Sequence, residues 1–370
     1  MSESQLSNRF SITQAKSLVK DLSQPKAWIY WTDFTLTALS GHTLFIVLLR
    51  SAEITQLSGA QLWGLRAGLF AVVACLFMRM TMFIHELVHL PNEGYKGFRI
   101  WWNLLCGIPF LIPSFLYYPH VDHHRRKHYG TDKDGEYLDL SHRHPTHIIG
   151  FIAAAFVVPF AAYFRFAVMT PISWFFPGFA KWVEKRASSM VVDIFYLRGD
   201  YGPKAKKIMR FQEVLCFLWC IALVLRAPMK NGVLIDEFLI QAYILSVTLI
   251  LINNVRTLGA HRWMGDGREL TFEEQLLDSV NYPHRSWITE LWGPVGTRYH
   301  ALHHLFPSSP YHNLGVAHRR LMEGLPEDSM YRDTVRVTLT GAIIELWDRS
   351  RRRNETDHPI ITDNDQANAA

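Results

Sequence analysis

The sequence predicts an all-α, polytopic membrane protein with about four transmembrane helices and a cytoplasmic helical cap that gathers a histidine-rich, di-metal site. Three observations lead there. Several apolar runs meet or approach the ~20 residues that a bilayer-spanning helix needs. Eighteen histidines stand beside only four cysteines in 370 residues. Lysines and arginines also concentrate in particular segments between the runs, the bias expected of cytoplasmic loops.

Composition narrows the class further. A charged fraction of 19% and a hydrophobic fraction of 49% argue against disorder. The mean hydropathy of +0.03 lies between that of a water-soluble enzyme and that of a transporter. Four cysteines are too few for a disulfide scaffold, and none form a Cys-x-x-Cys pair. Cys75, Cys106, Cys216 and Cys220 lie in apolar stretches and read as small buried apolar residues. The net charge of +5 needs no nucleic acid, because a membrane surface explains the lysines equally well.

Residues 1–27 are polar, carry Arg9, Lys16, Lys20 and Lys26, and read as an N-terminal cytoplasmic segment without a cleavable signal peptide. The first apolar run is 34–49, extended at its front by Trp28, Tyr30 and Trp31, and the second is 67–84, with Arg79 as its one charge. Histidine clusters at His85 and His89 and from His120 flank the third run, 100–118, and can meet only if that run does not cross. Pro109 and Pro113 within it, and Gly107 just before them, predict a bent or surface-lying segment. The same parity leaves the run at 148–169, with Arg165, as interfacial, and makes 208–252 a hairpin of two crossings turned around residues 227–236. Residues 28–325 form the membrane domain. Residues 326–370 read as a C-terminal amphipathic segment, with a disordered tail from Arg349.

The histidines cluster at telling spacings: His85 and His89 in HELVH, His120, His123 and His124 in HVDHH, and His300, His303 and His304 in HALHH. On a helix, positions three and four apart share a face, so each cluster can aim two or three ring nitrogens at one place. His261 follows the last apolar run and completes nine candidate donors. Nine imidazoles exceed the needs of one zinc ion, whereas two five- or six-coordinate irons would use eight or nine. HELVH also fits His-Glu-x-x-His, the zinc peptidase signature in which Glu86 would be the general base. That reading leaves HVDHH and HALHH unexplained.

With these three boxes the chain resembles the integral-membrane fatty acid desaturase superfamily. The likeness extends past the third box into His303-His304-Leu305-Phe306-Pro307 and Pro310-Tyr311-His312-Asn313-Leu314, and spans roughly residues 30–325. The resemblance implies iron ligation by His85, His89, His120, His123, His124, His300, His303 and His304, with His261 as the further histidine that precedes the third box. It implies O2-dependent oxidation of an unactivated fatty acyl chain at two irons, foremost desaturation. Hydroxylases, ketolases and terminal-alkene-forming decarboxylases share the same boxes. The substrate would be a free acid, thioester or lipid ester. With no nucleotide fingerprint or four-cysteine pattern in the sequence, and no room expected after residue 325 for a fused haem domain, electrons are expected from a separate ferredoxin, rubredoxin or cytochrome b5-like donor docking on the basic cytoplasmic face.

Other polar residues have weaker assignments. Glu86 is a candidate to fix an imidazole tautomer, or else a surface carboxylate, while Asp122, Asp132, Asp134, Asp278 and Glu290 are candidates to orient imidazoles, or else to pair with Arg125, Arg126, Arg262 or Arg298. Those four arginines are also candidates to hold a substrate head group. His128 shares a helical face with His124. His142, His144 and His147 read as a solvated loop, and His42, inside the first run, needs a bond to a neighbouring helix.

Overall fold

The computed structural model describes residues 10–231 and 235–353. Among them the regular elements are helical, and extended pairing is confined to single bridges at His261–Ser279, Asn281–Tyr299 and Asn281–Val335. Four described helices are long and apolar enough to cross a membrane: α1 (Ala27–Leu49), α2 (Gly59–His89), α3 (Pro203–Asn231, apolar over Pro203–Arg226) and α4 (Glu237–Leu258). The fold class predicted from the runs therefore holds for the helices and their number. Helix α3 reaches Asn231, further than the expected turn at 227, and residues 232–234 of that turn lie outside the described residues.

Contacts divide the chain into two compact units: Ala27–Pro119 with Ala153–Ile252, and Met1–Lys26 with His120–Ile152 and Asn253–Ala370. In the first unit, α1 packs on α2 where Gly41 meets Phe77. A Cβ at Gly41 would come within 2.6 Å of that ring, so only glycine permits the approach. Tyr30, Phe34, Phe83 and Phe98 form an aromatic cluster with centroids 5.5–6.4 Å apart. Within this cluster Tyr30 donates to Glu86 at 2.6 Å. Polar groups inside the spans are paired: Arg79 with Asp33 at 2.5 Å, and His42 with the Leu105 carbonyl at 2.8 Å. Cys106, Cys216 and Cys220 are buried as expected, whereas Cys75 is exposed.

The third run is broken, as its prolines predict. Helix Lys96–Trp102 passes into a π-helical turn at Asn103–Gly107, Leu111 takes a left-handed φ of 56°, and a 3-10 turn follows at Ser114–Tyr117. Asn103 stitches the bend, donating to the Ser114 hydroxyl and accepting from the Ser114 amide, each at 2.9 Å. The 148–169 run is also bent, by 55° between Thr146–Phe156 and Val158–Phe175, with Pro159 opening the second piece.

Arg165 from that bent segment is buried against Glu213 of α3, and donates as well to Thr170, Ser188 and the Ala187 carbonyl. Removing one partner strands the other charge. Arg165→Met is expected to cost about 3–5 kcal/mol, and Arg165→Met with Glu213→Leu to recover most of it. Thermal unfolding of the detergent-solubilised variants reads both values.

In the second unit, the extended strip 278–282 is buried throughout and bonds on two sides. Asp278 and Ala260 carbonyls accept from Arg262 and Val280 amides, while Tyr282 N–H donates to Arg298 and Ala301 N–H to Val280. Helix Phe272–Asp278, fixed by a Thr271–Glu274 capping box, delivers the chain to this strip. Helices Ile12–Val19 and Tyr311–Gly324 share an apolar cluster around Leu302, Leu314 and Leu321. His318 of the latter helix bonds Tyr331 at 2.8 Å. The expected disordered end does not begin at Arg349: helix Leu339–Arg351 continues there, and Arg349 is buried against Glu345 at 2.7 Å. The remainder of that expectation, residues 354–370, lies outside the described residues.

Burial, followed by the charges of His284, Arg298 and Arg319, pushes the His318 imidazole down to about 4. The unfolded chain takes up a proton near the ordinary value of 6.5, and the folded chain only near 4. Stability is therefore expected to fall as pH drops through that window, by up to about 3 kcal/mol. A His318→Asn variant should flatten the acid limb of the melting-temperature profile.

Candidate metal centre

Seven of the nine predicted donors lie in the second unit, and the structure sorts them into two sets whose ring nitrogens fall within 4.8 Å of one another. The first contains His120, His124 and His303. His124 Nε2 stands 2.9 Å from His120 Nε2 and 3.1 Å from His303 Nε2. The second contains His123, His261, His300 and His304. Here His300 Nε2 lies 2.8 Å from His261 Nε2 and 3.1 Å from His304 Nε2. His85 and His89 occupy the last turn of α2 in the other unit, their rings 5.6 Å apart.

The local folding explains the arrangement. The second box is a single helical turn, His120–His123, and the third opens helix His300–Leu305. The strip 278–282 bridges to His261 on one flank and to Tyr299 on the other, and the Asn281 side chain accepts from the Leu302 amide at 3.0 Å. That strip is what registers His261, 39 residues upstream, against His300.

Carboxylates and a phenol fix the tautomers. His120 Nδ1 is 2.9 Å from Glu136, and His123 Nδ1 is 2.8 Å from Asp134. His261 Nδ1 lies 2.8 Å from the Tyr129 hydroxyl, which donates to Asp278 at 2.6 Å, so the hydroxyl must accept from the ring. Asp278, fully buried, also receives Tyr137 at 3.1 Å and the Met264 amide at 2.8 Å. In each case Nδ1 carries the proton, and Nε2 is left as a lone pair facing the other rings. Carboxylate-backed imidazoles of this kind are the usual support of metal ligands.

The two sets fit cations. At 2.8–3.1 Å each pair of ring nitrogens either shares one N–H or presents two lone pairs to a cation, and in both cases the donors already converge on one point. Donors about 2.1 Å from one ion stand about 3.0 Å apart at right angles and about 3.4 Å apart tetrahedrally. The nitrogens of each set, all within 4.8 Å of one another, lie within the reach of donors to a single ion. Charge agrees. Burial and the neighbouring His300, His123, His261 and His120 hold His304 well below the ordinary imidazole range, so its ring is neutral and available as a donor. Burial is the largest influence on His123 and opposes its protonation, but Asp134, Glu136 and Asp278 together raise that ring.

The other candidates fall elsewhere. Asp122 pairs with Arg125 at 2.6 Å and faces His128 at 3.4 Å. Glu290 pairs with Arg298 at 3.0 Å, and Asp132 is exposed. Arg262 and Arg298 are buried, the first donating to the Asp333 carbonyl and the second lying 4.4 Å from the Tyr299 ring centre. Arg125 and Arg126 remain exposed. His142 bonds the Met264 carbonyl at 3.2 Å. Glu136, Tyr129 and Tyr137 had no signal in the sequence: none stands at a helical spacing from a box, and only the fold brings them to the rings.

Comparison with known proteins places these observations. Residues 61–336 match the family described as fatty acid desaturase. A curated relative from Caulobacter vibrioides, named ceramide hydroxylase, is 36% identical over 342 residues, covering 92% of this chain and 94% of its own. No solved structure matches.

Proposed function

Because the chain belongs to the fatty acid desaturase family and is a membrane di-iron oxidoreductase, we propose that it hydroxylates an aliphatic chain of a ceramide-like lipid. The observation that carries this is the identity to a ceramide hydroxylase along nearly the full length of both chains. Desaturation, foremost on the boxes alone, is the second reading, favoured by the family match.

In this reading His123, His261, His300 and His304 hold one iron. His120, His124 and His303 are donors to the other, and His85 and His89 of the first box, at the end of α2, are the remaining donors that the family resemblance assigns to iron. Two irons so held supply the O2 activation that an unactivated C–H bond requires, since no side chain is basic enough to remove its hydrogen. The protein's own part is orientation and exclusion of water. Glu136, Asp134 and the Tyr129–Asp278 pair keep each Nε2 unprotonated. Burial of His120, His123, His261, His300 and His303 keeps solvent from the rings. The outcome, alcohol or alkene, depends on where the lipid chain is held. We place the site on the cytoplasmic face, supported by the lysines and arginines of 125–127 and 181–210, with electrons from an external ferredoxin, rubredoxin or cytochrome b5-like protein.

The test is expression in a ceramide-producing host followed by mass spectrometry of the lipids. Ceramide carrying one added oxygen, absent with a His303→Ala control, is the expected result. Loss of two hydrogens without added oxygen would establish desaturation instead, and an unchanged ceramide pool with altered fatty acids would overturn the substrate assignment.

A further inference from the structure

We propose that Tyr129, Tyr137, Trp263 and Trp347 form a one-electron relay that drains oxidising equivalents from the second histidine set when no lipid is present to consume them. The proposal rests on the oxygenase reading above. Tyr129 lies against three rings of that set, with centroids 5.2 Å from His123, 5.5 Å from His304 and 5.8 Å from His261. It stands 5.2 Å from Tyr137, which stands 5.2 Å from Trp263. Trp263 itself is 5.2 Å from His261. The three are 1%, 5% and 0% exposed, so the chain's inner end is shielded from bulk solvent. Half-buried Trp347 packs against the same apolar cluster and offers an outlet toward the surface.

The chemistry of the side chains gives this chain its meaning. An oxygenase that activates O2 without a C–H bond to attack must discharge the oxidant or be damaged by it. Phenol and indole are among the most readily oxidised side chains, and all four cysteines belong to the other unit. A phenol gives up an electron easily only if its proton has somewhere to go. Tyr129 donates its proton to Asp278 at 2.6 Å, and Tyr137 donates to the other oxygen of the same carboxylate at 3.1 Å. If the two tyrosines served only to hold Asp278, neither the continuation to Trp263 nor the close ring spacing would be needed.

The step balances as follows. With iron bound there and oxidised by O2, Tyr129 would supply one electron and pass its phenolic proton to Asp278, leaving a neutral phenoxyl radical. One electron from Tyr137 refills Tyr129, whose proton returns from Asp278 Oδ2 as that of Tyr137 passes to Oδ1; one electron from Trp263 then refills Tyr137, whose proton returns in turn, and leaves an indole radical cation. The hole on the indoles is quenched at the surface by one electron from a thiol or from the electron-donor protein.

Iron-loaded, chemically reduced enzyme is mixed with O2 without lipid, freeze-quenched, and read by electron paramagnetic resonance, with O2 uptake and iron content measured on the same samples. A tyrosyl signal is expected, suppressed by saturating lipid and lost in Tyr129→Phe. In Trp347→Phe, with iron content unchanged, the signal should persist several-fold longer. Peptide mass spectrometry after prolonged lipid-free turnover without thiol should find oxidation at Trp263 and Trp347. O2 uptake without an aromatic radical, with oxidation elsewhere in the chain, overturns the relay and leaves the oxygenase reading intact. No O2 uptake without lipid overturns the relay alone, and no O2 uptake with lipid either overturns both. Should Tyr129→Phe also lose iron, the radical lifetime in Trp347→Phe decides, and a lifetime equal to that of the unaltered chain overturns the relay.

Discussion

Replacing His300 with alanine is expected to lower bound iron from two ions per chain to one and to abolish lipid oxidation. His300 Nε2 is the hub of the second set, 2.8 Å from His261 and 3.1 Å from His304. Without it, His261 and His304 lose the donor common to both. Affinity losses of about 10–100-fold follow removal of groups that merely support a ligand, and loss of a ligand itself should exceed that. Metal analysis by mass spectrometry and product formation from the same preparation provide the check. The experiment also separates the enzyme from a His-Glu-x-x-His zinc peptidase, which needs only His85, Glu86, His89 and one distant ligand. One zinc per chain, with activity surviving His303→Ala and His304→Ala, would overturn the di-iron reading.

The second large effect is expected at a residue that touches no metal in this scheme. Asp278→Asn should weaken iron binding by about 10–100-fold. Asp278 accepts from Tyr129, Tyr137 and the Met264 amide while fully buried, and its charge keeps the Tyr129 hydroxyl turned away from His261. An amide side chain can donate to Tyr129, which frees the hydroxyl to donate to His261 Nδ1. That favours the tautomer with the proton on Nε2, where the ring cannot ligate. Tyr137→Phe removes one weaker bond and leaves the carboxylate, so its effect should be smaller. Iron-dependent thermal shifts, read across a range of free iron concentrations, distinguish weakened binding from general destabilisation.

Much of this site was legible because its parts are local. A histidine box is one helical turn, and spacings of three and four residues report a shared face whatever the rest of the chain does. The spanning helices were legible for a similar reason, since a bilayer demands continuous apolar length. Even the break at 100–118 was marked by proline, whereas the bend inside 148–169, where Pro159 opens the second piece, was not read. Long-range partners left no such trace. Asp134 and Asp278 were two names among six carboxylates, and Glu136, Tyr129 and Tyr137 were not among them. Their roles depend on the loop 128–139 and the strip 278–282 folding against the boxes, which no spacing records.

The amino-acid sequence by itself determined that histidines would gather in number, at a membrane, with enough donors for two ions. Only the tertiary structure decided how they divide. The second box sends His120 and His124 to one set and His123 to the other, while the third sends His303 to the first and His300 with His304 to the second. Each residue turns a helix by about 100°, so which ring points where depends on the rotation of each short helix about its own axis. That rotation is set by what the helix packs against: the bridge to Asn281 for the third box, and the bonds to Glu136 and Asp134 for the second.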